Sequence, residues 1–263
     1  MRIDELAARL RPYETASDRC VPPGFFMVAR LDGRGFSRLT QERRPDFERP
    51  FDVRFRDMMI AAAQHLMSGC GFSVVHAHVQ SDEISLLFHP GERAFGRKLR
   101  KFHSVLAGEA SARLTLLLGE LAAFDCRVSE LPSAELVGQY FVWRSEDAAR
   151  NALAAHCYWA LRSDGCGERE ATAALAGLAA EARHELLHRH GIHFGDLPAW
   201  QKRGVGLAWE ASPTTEAGQR RRIGVGDELP LREAYAALVR ARLAAALAEA
   251  GEAPAGGDVA PGR

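Results

Sequence analysis

Two short acidic segments, Leu31-Asp32-Gly33-Arg34-Gly35-Phe36 and Gln80-Ser81-Asp82-Glu83, each close an apolar run that reads as a strand. The first follows Phe25-Phe26-Met27-Val28-Ala29, which is too short for a globular helix and suits a buried strand. The second sits between Ser73-Val74-Val75 with Val79 on one side and Ile84-Ser85-Leu86-Leu87-Phe88 on the other, the pattern of a hairpin with an acidic tip. Taken singly, Asp-Gly is a turn and Ser-Asp-Glu a cap or loop. Taken together, the segments can hold metal ions. Two divalent ions ~4 Å apart repel by roughly 17 kcal/mol even at an effective dielectric near 20, so anionic ligands from more than one segment must converge between them. Asp32 and Asp82 can supply them, and Gly33 and Gly35 allow close backbone approach to phosphate.

The order of the other elements narrows the fold. A strand at 25–31, an amphipathic helix at 51–67, the hairpin at 72–88, a long helix at 92–121 and a strand at 124–128 spell β-α-β-β-α-β. This is the ferredoxin-like order of polymerase palms: an α+β fold with an antiparallel sheet and helices on one face. Its first and third strands are neighbours, which brings Asp32 near Asp82. Helices follow at 147–161, 168–179, 181–190 and 231–250, a C-terminal helical region with Gly191 as a C-cap. The expected division is a palm-like catalytic domain with an N-terminal extension over 1–145, a helical region packed on the palm, with a basic loop, over 146–250, and a disordered Gly/Pro/Ala-rich tail over 251–263.

These residues resemble the tRNA-His guanylyltransferase family, polymerases that add nucleotides to RNA 5′ ends in the 3′ to 5′ direction. The resemblance rests on Leu31 to Phe36 with Gln80 to Phe88, then on Phe47, Arg49 and Pro50, on Phe124-Asp125-Cys126-Arg127-Val128, on Trp143-Arg144 with Asn151, and on Leu197-Pro198 with Lys202-Arg203-Gly204. It implies two Mg²⁺ held by Asp32, Asp82 and the Gly33 carbonyl, with Glu83 supporting the metal shell or balancing nearby cations. It also implies a nucleotide site of Gly33, Arg34, Gly35, Phe36, Phe47, Arg49 and Ser81, and RNA or phosphate contacts from Asn151, Arg183, Lys202 and Arg203. The implied substrates are ATP, GTP or other nucleoside triphosphates, and tRNA; the implied assembly is a homotetramer. The implied chemistry is adenylylation of a 5′-monophosphate, attack by the 3′-OH of an incoming nucleotide with loss of AMP, and removal of the added nucleotide's pyrophosphate. Where eukaryotic members carry His-Ile-Asn-Asn-Leu-Tyr-Asn, this chain has Ala149-Arg150-Asn151-Ala152-Leu153-Ala154-Ala155, and two family lysines stand as Arg49 and Arg183. In this it is closer to the bacterial and archaeal branch, whose members repair truncated tRNA 5′ ends against the opposite strand.

Other motifs point elsewhere. His184-Glu185-Leu186-Leu187-His188 matches the zinc-peptidase pattern, and Gly191 falls where the extended metzincin motif wants its glycine. The third histidine of that motif is missing, because position 194 is Phe194 and His193 comes one residue early. All five methionines lie upstream, so no Met-turn can follow. A structural zinc at His184, His188, His190 and His193 is the lesser variant. His76-Ala77-His78 places two imidazoles on one strand face, read as satisfied or solvent-facing histidines. Gly33-x-Gly35 lacks the remainder of a dinucleotide fingerprint. Arg93, Arg97, Lys98, Arg100 and Lys101 form a basic helical segment and Arg220-Arg221-Arg222 a second cluster, each a solvated face or an RNA contact. Phe95, Leu99, Phe102 and Leu106 recur at helical spacing as core.

Composition excludes further classes. The 263 residues, 47% hydrophobic, can bury a large core, and a formal net charge of zero argues against a generic nucleic-acid coat protein. No apolar run approaches membrane-spanning length, and Met1-Arg2-Ile3-Asp4-Glu5 lacks the order of a signal peptide. Five cysteines without Cys-x-x-Cys spacing suggest neither a disulfide framework nor a zinc ribbon, and make the reducing cytoplasm the expected location. A non-catalytic RNA-binding protein stays as the alternative outside enzymes.

Overall fold

The computed structural model describes residues 2–211 and 221–251. In chain order the elements are α1 (Ile3–Thr15), β1 (Phe26–Gly33), the short α2 (Phe36–Arg38), α3 (Val53–Ser68), β2 (Val74–Gln80), β3 (Glu83–Phe88), α4 (Leu99–Leu118) and β4 (Phe124–Leu131). Then follow α5 (Ala134–Ser163), α6 (Glu168–Leu175), α7 (Ala180–Arg189), α8 (Ala199–Arg203), β5 (Val205–Ala211), β6 (Arg221–Gly226) and α9 (Arg232–Gly251).

The sheet order is β4-β1-β3-β2-β5-β6, and every pairing is antiparallel. The first four strands are the expected ferredoxin-like arrangement, with β1 beside β3. Strands β5 and β6 extend it on the β2 edge; the sequence pattern assigns no strand to either stretch, and no helix to α1.

Alternation of side chains sorts the apolar residues into two cores. Met27, Ala29 and Leu31 of β1 turn to one face and meet Met59 and Leu66 of α3 and Phe102, Leu106 and Leu114 of α4. Val28, Val75 and Leu87 turn to the other, where Val137 and Phe141 of α5 and Tyr235, Val239 and Leu243 of α9 cover them. The sheet is therefore buried on both faces, which is why its strands read as unbroken apolar runs. Helices α3 and α4 cover the one face expected of the palm, and α5 and α9 of the C-terminal helical region cover the other. A third cluster joins the second half of α5, through Leu153, Cys157 and Ala160, to Leu175, Leu186 and Leu187.

Other differences are local. Helix α5 begins thirteen residues before the expected 147, capped by the Ser133 hydroxyl accepting from the Leu136 amide, and runs unbroken through 145–146. Helix α4 begins only at Leu99, because Phe95 (φ 52°) and Gly96 (φ 61°) are left-handed. Phe95 is consequently 47% exposed rather than core, while Phe102 and Leu106 are fully buried. The basic segment before α4 turns inward: Arg97 donates to the Phe25 carbonyl at 2.6 Å, and Lys98 and Arg100 both pair with Asp18. Arg222 pairs with Glu210 at 3.1 Å, and Arg220 lies outside the described residues, as do tail positions 252–263. No helix among the described residues is long and apolar enough to cross a membrane.

Candidate active site

Asp32 is the penultimate residue of β1, in register with Glu83 of β3 on one side and Asp125 of β4 on the other. The β2–β3 turn places Asp82 one residue before Glu83, with Ser81 in a left-handed conformation (φ 50°). The two acidic segments are stitched directly together, since the Gly33 amide donates to the Asp82 carbonyl at 3.1 Å. Glycine is required there. A Cβ on Gly33 would stand 2.6 Å from the Phe36 ring and 2.9 Å from the Asp82 Cβ.

Asp32, Asp82 and Glu83 line one cavity of about 220 Å³ with Gln80, Ser81, Arg144 and Asn151. Burial, reinforced by the Asp32 and Glu83 charges, pushes the Asp82 carboxyl up to about 6. Such crowding of carboxyl groups fits a cation site. Glu83 differs from the other two in that Arg144 donates to both its oxygens, at 2.8 and 2.7 Å, while Arg30 lies between Glu83 and Asp32, 3.6 and 3.9 Å from their carboxylates. Arg144 also donates to Asp147 at 3.0 Å. Arg30 and Arg144 were not among the expected site residues. An arginine inside the apolar run of β1, and one at i, i+3 from Asp147 on a helix, were the available signals.

A second cavity opens beside the first and shares Phe51, Gln80 and Ser81 with it. Its walls include Phe47, Arg49, Asp52, Phe55, Arg56 and Trp200. The Arg44 and Arg54 guanidiniums lie 4.4 and 5.0 Å from the Phe47 ring, and Arg56 lies 4.8 Å from Trp200. Aromatic faces with cations nearby suit a nucleobase and its phosphates. Sequence reading missed Phe51, Arg56 and Trp200, whose partners are distant in the chain.

The expected nucleotide residues divide. Phe47, Arg49 and Ser81 line the second cavity, with Arg49 tied to the Phe47 carbonyl at 2.8 Å and set against Trp159. Phe36 does not: only 2% exposed, it packs edge-on against Phe124 at 5.1 Å, so its side chain belongs to the core. Gly35 (φ 72°) turns the chain into α2, and the Arg34 amide donates to the Ala123 carbonyl at 2.8 Å. Asn151 lines the carboxylate cavity with Ala152 and Ala155. Lys202 and Arg203 line a neighbouring groove with Ala149 and Arg232. Arg183 lines neither cavity; its guanidinium donates to the Leu175 carbonyl at 3.4 Å, away from the carboxylates.

Profiles of known families match nearly the whole chain: tRNA-His guanylyltransferase (Thg1) over residues 7–132 and the Thg1 C-terminal domain over 135–239. The probable tRNA(His) guanylyltransferase of Drosophila melanogaster is 32% identical over 198 residues, covering 72% of this chain and 68% of that protein. The chain belongs to the tRNA-His guanylyltransferase family. It is a nucleotidyltransferase. The tRNA(His) guanylyltransferase of Debaryomyces hansenii is 28% identical over 80% of both proteins. A bacterial Thg1-like protein solved in complex with GTP superposes with a TM-score of 0.72 at 26% identity, covering 91% of this chain and 99% of that one.

The zinc-peptidase motif does not assemble a site. His184 packs edge-on against Phe194, the tilted rings of His188 and His193 have centroids 4.9 Å apart, and His190 bonds Asp164 at 2.7 Å. No three potential ligands of this segment lie within 4.8 Å of one another among the described residues. His76 and His78 are buried and share the Tyr235 hydroxyl, through His76 Nε2 at 3.1 Å and His78 Nδ1 at 2.9 Å, while the buried His78 Nε2 has no hydrogen-bond partner.

Proposed function

We propose that this chain extends the 5′ end of tRNA in the 3′ to 5′ direction, choosing each nucleotide by the base that faces it. The observation that carries this reading is the meeting of two cavities at Phe51, Gln80 and Ser81, one walled by aromatic rings and cations, the other by Asp32 and Asp82. A nucleoside triphosphate with its base among Phe47, Phe51 and Trp200 has its phosphates directed toward the carboxylates. Asp32 and Asp82, with the Gly33 carbonyl, would hold two Mg²⁺, which supply charge neutralisation for the triphosphate and activation of the attacking hydroxyl.

The remaining work falls to the chain's own groups. Arg144 fixes Glu83 and, through it, the strand end that carries Asp82. Lys202 and Arg203, with Arg232, form a cationic groove beside the carboxylate cavity that suits an RNA backbone. The family's adenylylated intermediate explains why both ATP and an incoming nucleotide are needed. Five unpaired cysteines suit the cytoplasm, and the family resemblance implies a homotetramer, which light scattering on the purified protein checks.

Template choice rests on what the α5 wall lacks. Ala152 and Ala155 line the cavity, and Ala149 lines the groove, where eukaryotic members have polar side chains. Methyl groups cannot read a distinguishing atom, and a lost hydrogen-bond partner costs ~1 to 3 kcal/mol of discrimination. Pairing with the opposite strand then selects the nucleotide. The experiment is incubation of several 5′-truncated, 5′-monophosphorylated tRNAs with ATP, Mg²⁺ and labelled nucleotides, with initial rates compared across all four facing bases. Guanosine addition confined to tRNA-His, whatever the facing base, would show the inference to be wrong.

A further inference from the structure

At the end of α3 remote from its nucleotide-facing first turn, three side chains of different chemistry converge. His65 lies in the last turn of α3, Cys70 in the turn that follows, and Glu109 in the middle of α4; each offers one ligand atom, and these atoms all lie within 4.8 Å of one another. They are the one such group of three among the described residues. His65 Nε2 lies 2.8 Å from a Glu109 carboxylate oxygen, and the Cys70 thiol donates back to the His65 carbonyl at 3.6 Å.

We propose that His65, Cys70 and Glu109 bind one zinc ion. One imidazole nitrogen, one thiolate and one carboxylate form a donor set suited to zinc, with water as the fourth ligand. Bonds of 2.0–2.3 Å around a tetrahedral ion put its donors roughly 3.3–3.8 Å apart, so a cluster already this tight closes through small side-chain rotations. All three residues are partly exposed, which leaves an entry path and room for the water.

The local backbone is shaped for the cluster. A Cβ at Gly69 would stand 2.9 Å from His65 Nδ1, so glycine lets the imidazole fold over the helix end. Gly71 (φ 74°) makes the left-handed turn that returns the chain after Cys70. The carbonyl end of α3 also favours a cation. Burial, with the Glu109 charge, pushes the free Cys70 thiol up to about 11, so the ion must displace its proton: the S–H bond breaks, a sulfur–zinc bond forms, and the proton leaves to solvent. The role is structural. The ion clips α3, whose first turns bring Asp52, Phe55 and Arg56 to the nucleotide cavity, onto α4.

The test uses the full-length protein, reduced and metal-free, with cobalt(II) as the spectroscopic probe and zinc as competitor. A thiolate-to-cobalt charge-transfer band should saturate at one ion per chain, vanish on zinc addition, be absent in Cys70→Ser and persist in Cys20→Ser. In the wild type, zinc should slow alkylation of the Cys70 peptide at least tenfold and leave the Cys126 and Cys166 peptides unchanged. This second readout needs no variant, so it decides the matter even where Cys70→Ser fails to fold. Absence of the band with unprotected Cys70 would mean that His65 and Glu109 are merely an ion pair between helices, and overturns the site. A band that survives Cys70→Ser in a folded protein overturns it too.

Discussion

Arg144, on the helix that covers the back of the sheet, donates to both carboxylate oxygens of Glu83 at 2.8 and 2.7 Å, and so ties α5 to the strand end next to Asp82. The pair is well shielded, with side chains 6% and 15% exposed. Truncating one member of a buried pair strands the other's charge.

Arg144→Ala should destabilise the protein by about 2–4 kcal/mol, towards the low end for a broken buried pair because Arg30 remains near Glu83. Arg144→Lys keeps the charge but loses the two-pronged grip, so it should cost less stability while still lowering the rate of nucleotide addition. Urea unfolding and initial rates, measured on both variants, check this. Equal stability of the wild type and Arg144→Ala would refute it.

Asp32→Ala and Asp82→Ala should each abolish nucleotide addition without unfolding the chain, because both carboxyl groups face a cavity and their loss opens no core void. Asp82→Asn should go further and raise the thermal midpoint in the presence of a chelator at pH 7, since it removes an ionised group whose burial and neighbours disfavour its charge. Added Mg²⁺ should stabilise the wild type and leave Asp82→Asn nearly unmoved. Calorimetry with and without Mg²⁺ is the measurement.

Gly33→Ala places a methyl carbon 2.6 Å from a Phe36 ring that is buried and packed edge-on against Phe124 and Phe55. The strain should cost about 1–3 kcal/mol. It should also displace Asp82, whose Cβ is 2.9 Å from the same point, so activity should fall at least tenfold even at temperatures where the variant is folded. A variant of normal activity would show that the Gly33–Asp82 contact does not position the site.

Acid stability should report on the buried histidines. Burial, with Arg144 nearby, pushes His78 down from 6.5 to about 3, and burial with the Arg242 and His78 charges lowers His76. The unfolded chain binds these protons more readily, so stability is full above about pH 6.5 and falls as the pH drops towards 3, by about 1.4 kcal/mol per pH unit for each histidine. His78→Gln should flatten this slope by one proton's worth. Urea midpoints measured between pH 7 and 4 provide the test, and an unchanged slope would exclude the buried neutral state.

Local pattern was enough for much of this molecule. The apolar run before Asp32, the acidic-tipped hairpin around Asp82 and the two intervening helices each carry their own periodicity, and their order implied the β1–β3 neighbourhood that the Gly33–Asp82 hydrogen bond realises. Strands β5 and β6 were not legible, because Val205 to Ala208 gain their meaning from pairing with β2 across a long chain separation, and Arg221 to Gly226 from pairing with β5 in turn. Phe36 counts as a nucleotide contact only through the family resemblance; packing against Phe124 assigns its side chain to the core. The same holds for Arg144 and Glu83, sixty-one positions apart, and for His65 and Glu109, forty-four apart. Sequence by itself determined the four palm strands, the two helices between them and the carboxylates at the strand ends, since these depend on neighbours a few residues away. Which charges meet, which rings line a cavity and which face each helix covers were decided by tertiary structure, because those free energies exist only between groups that folding brings together.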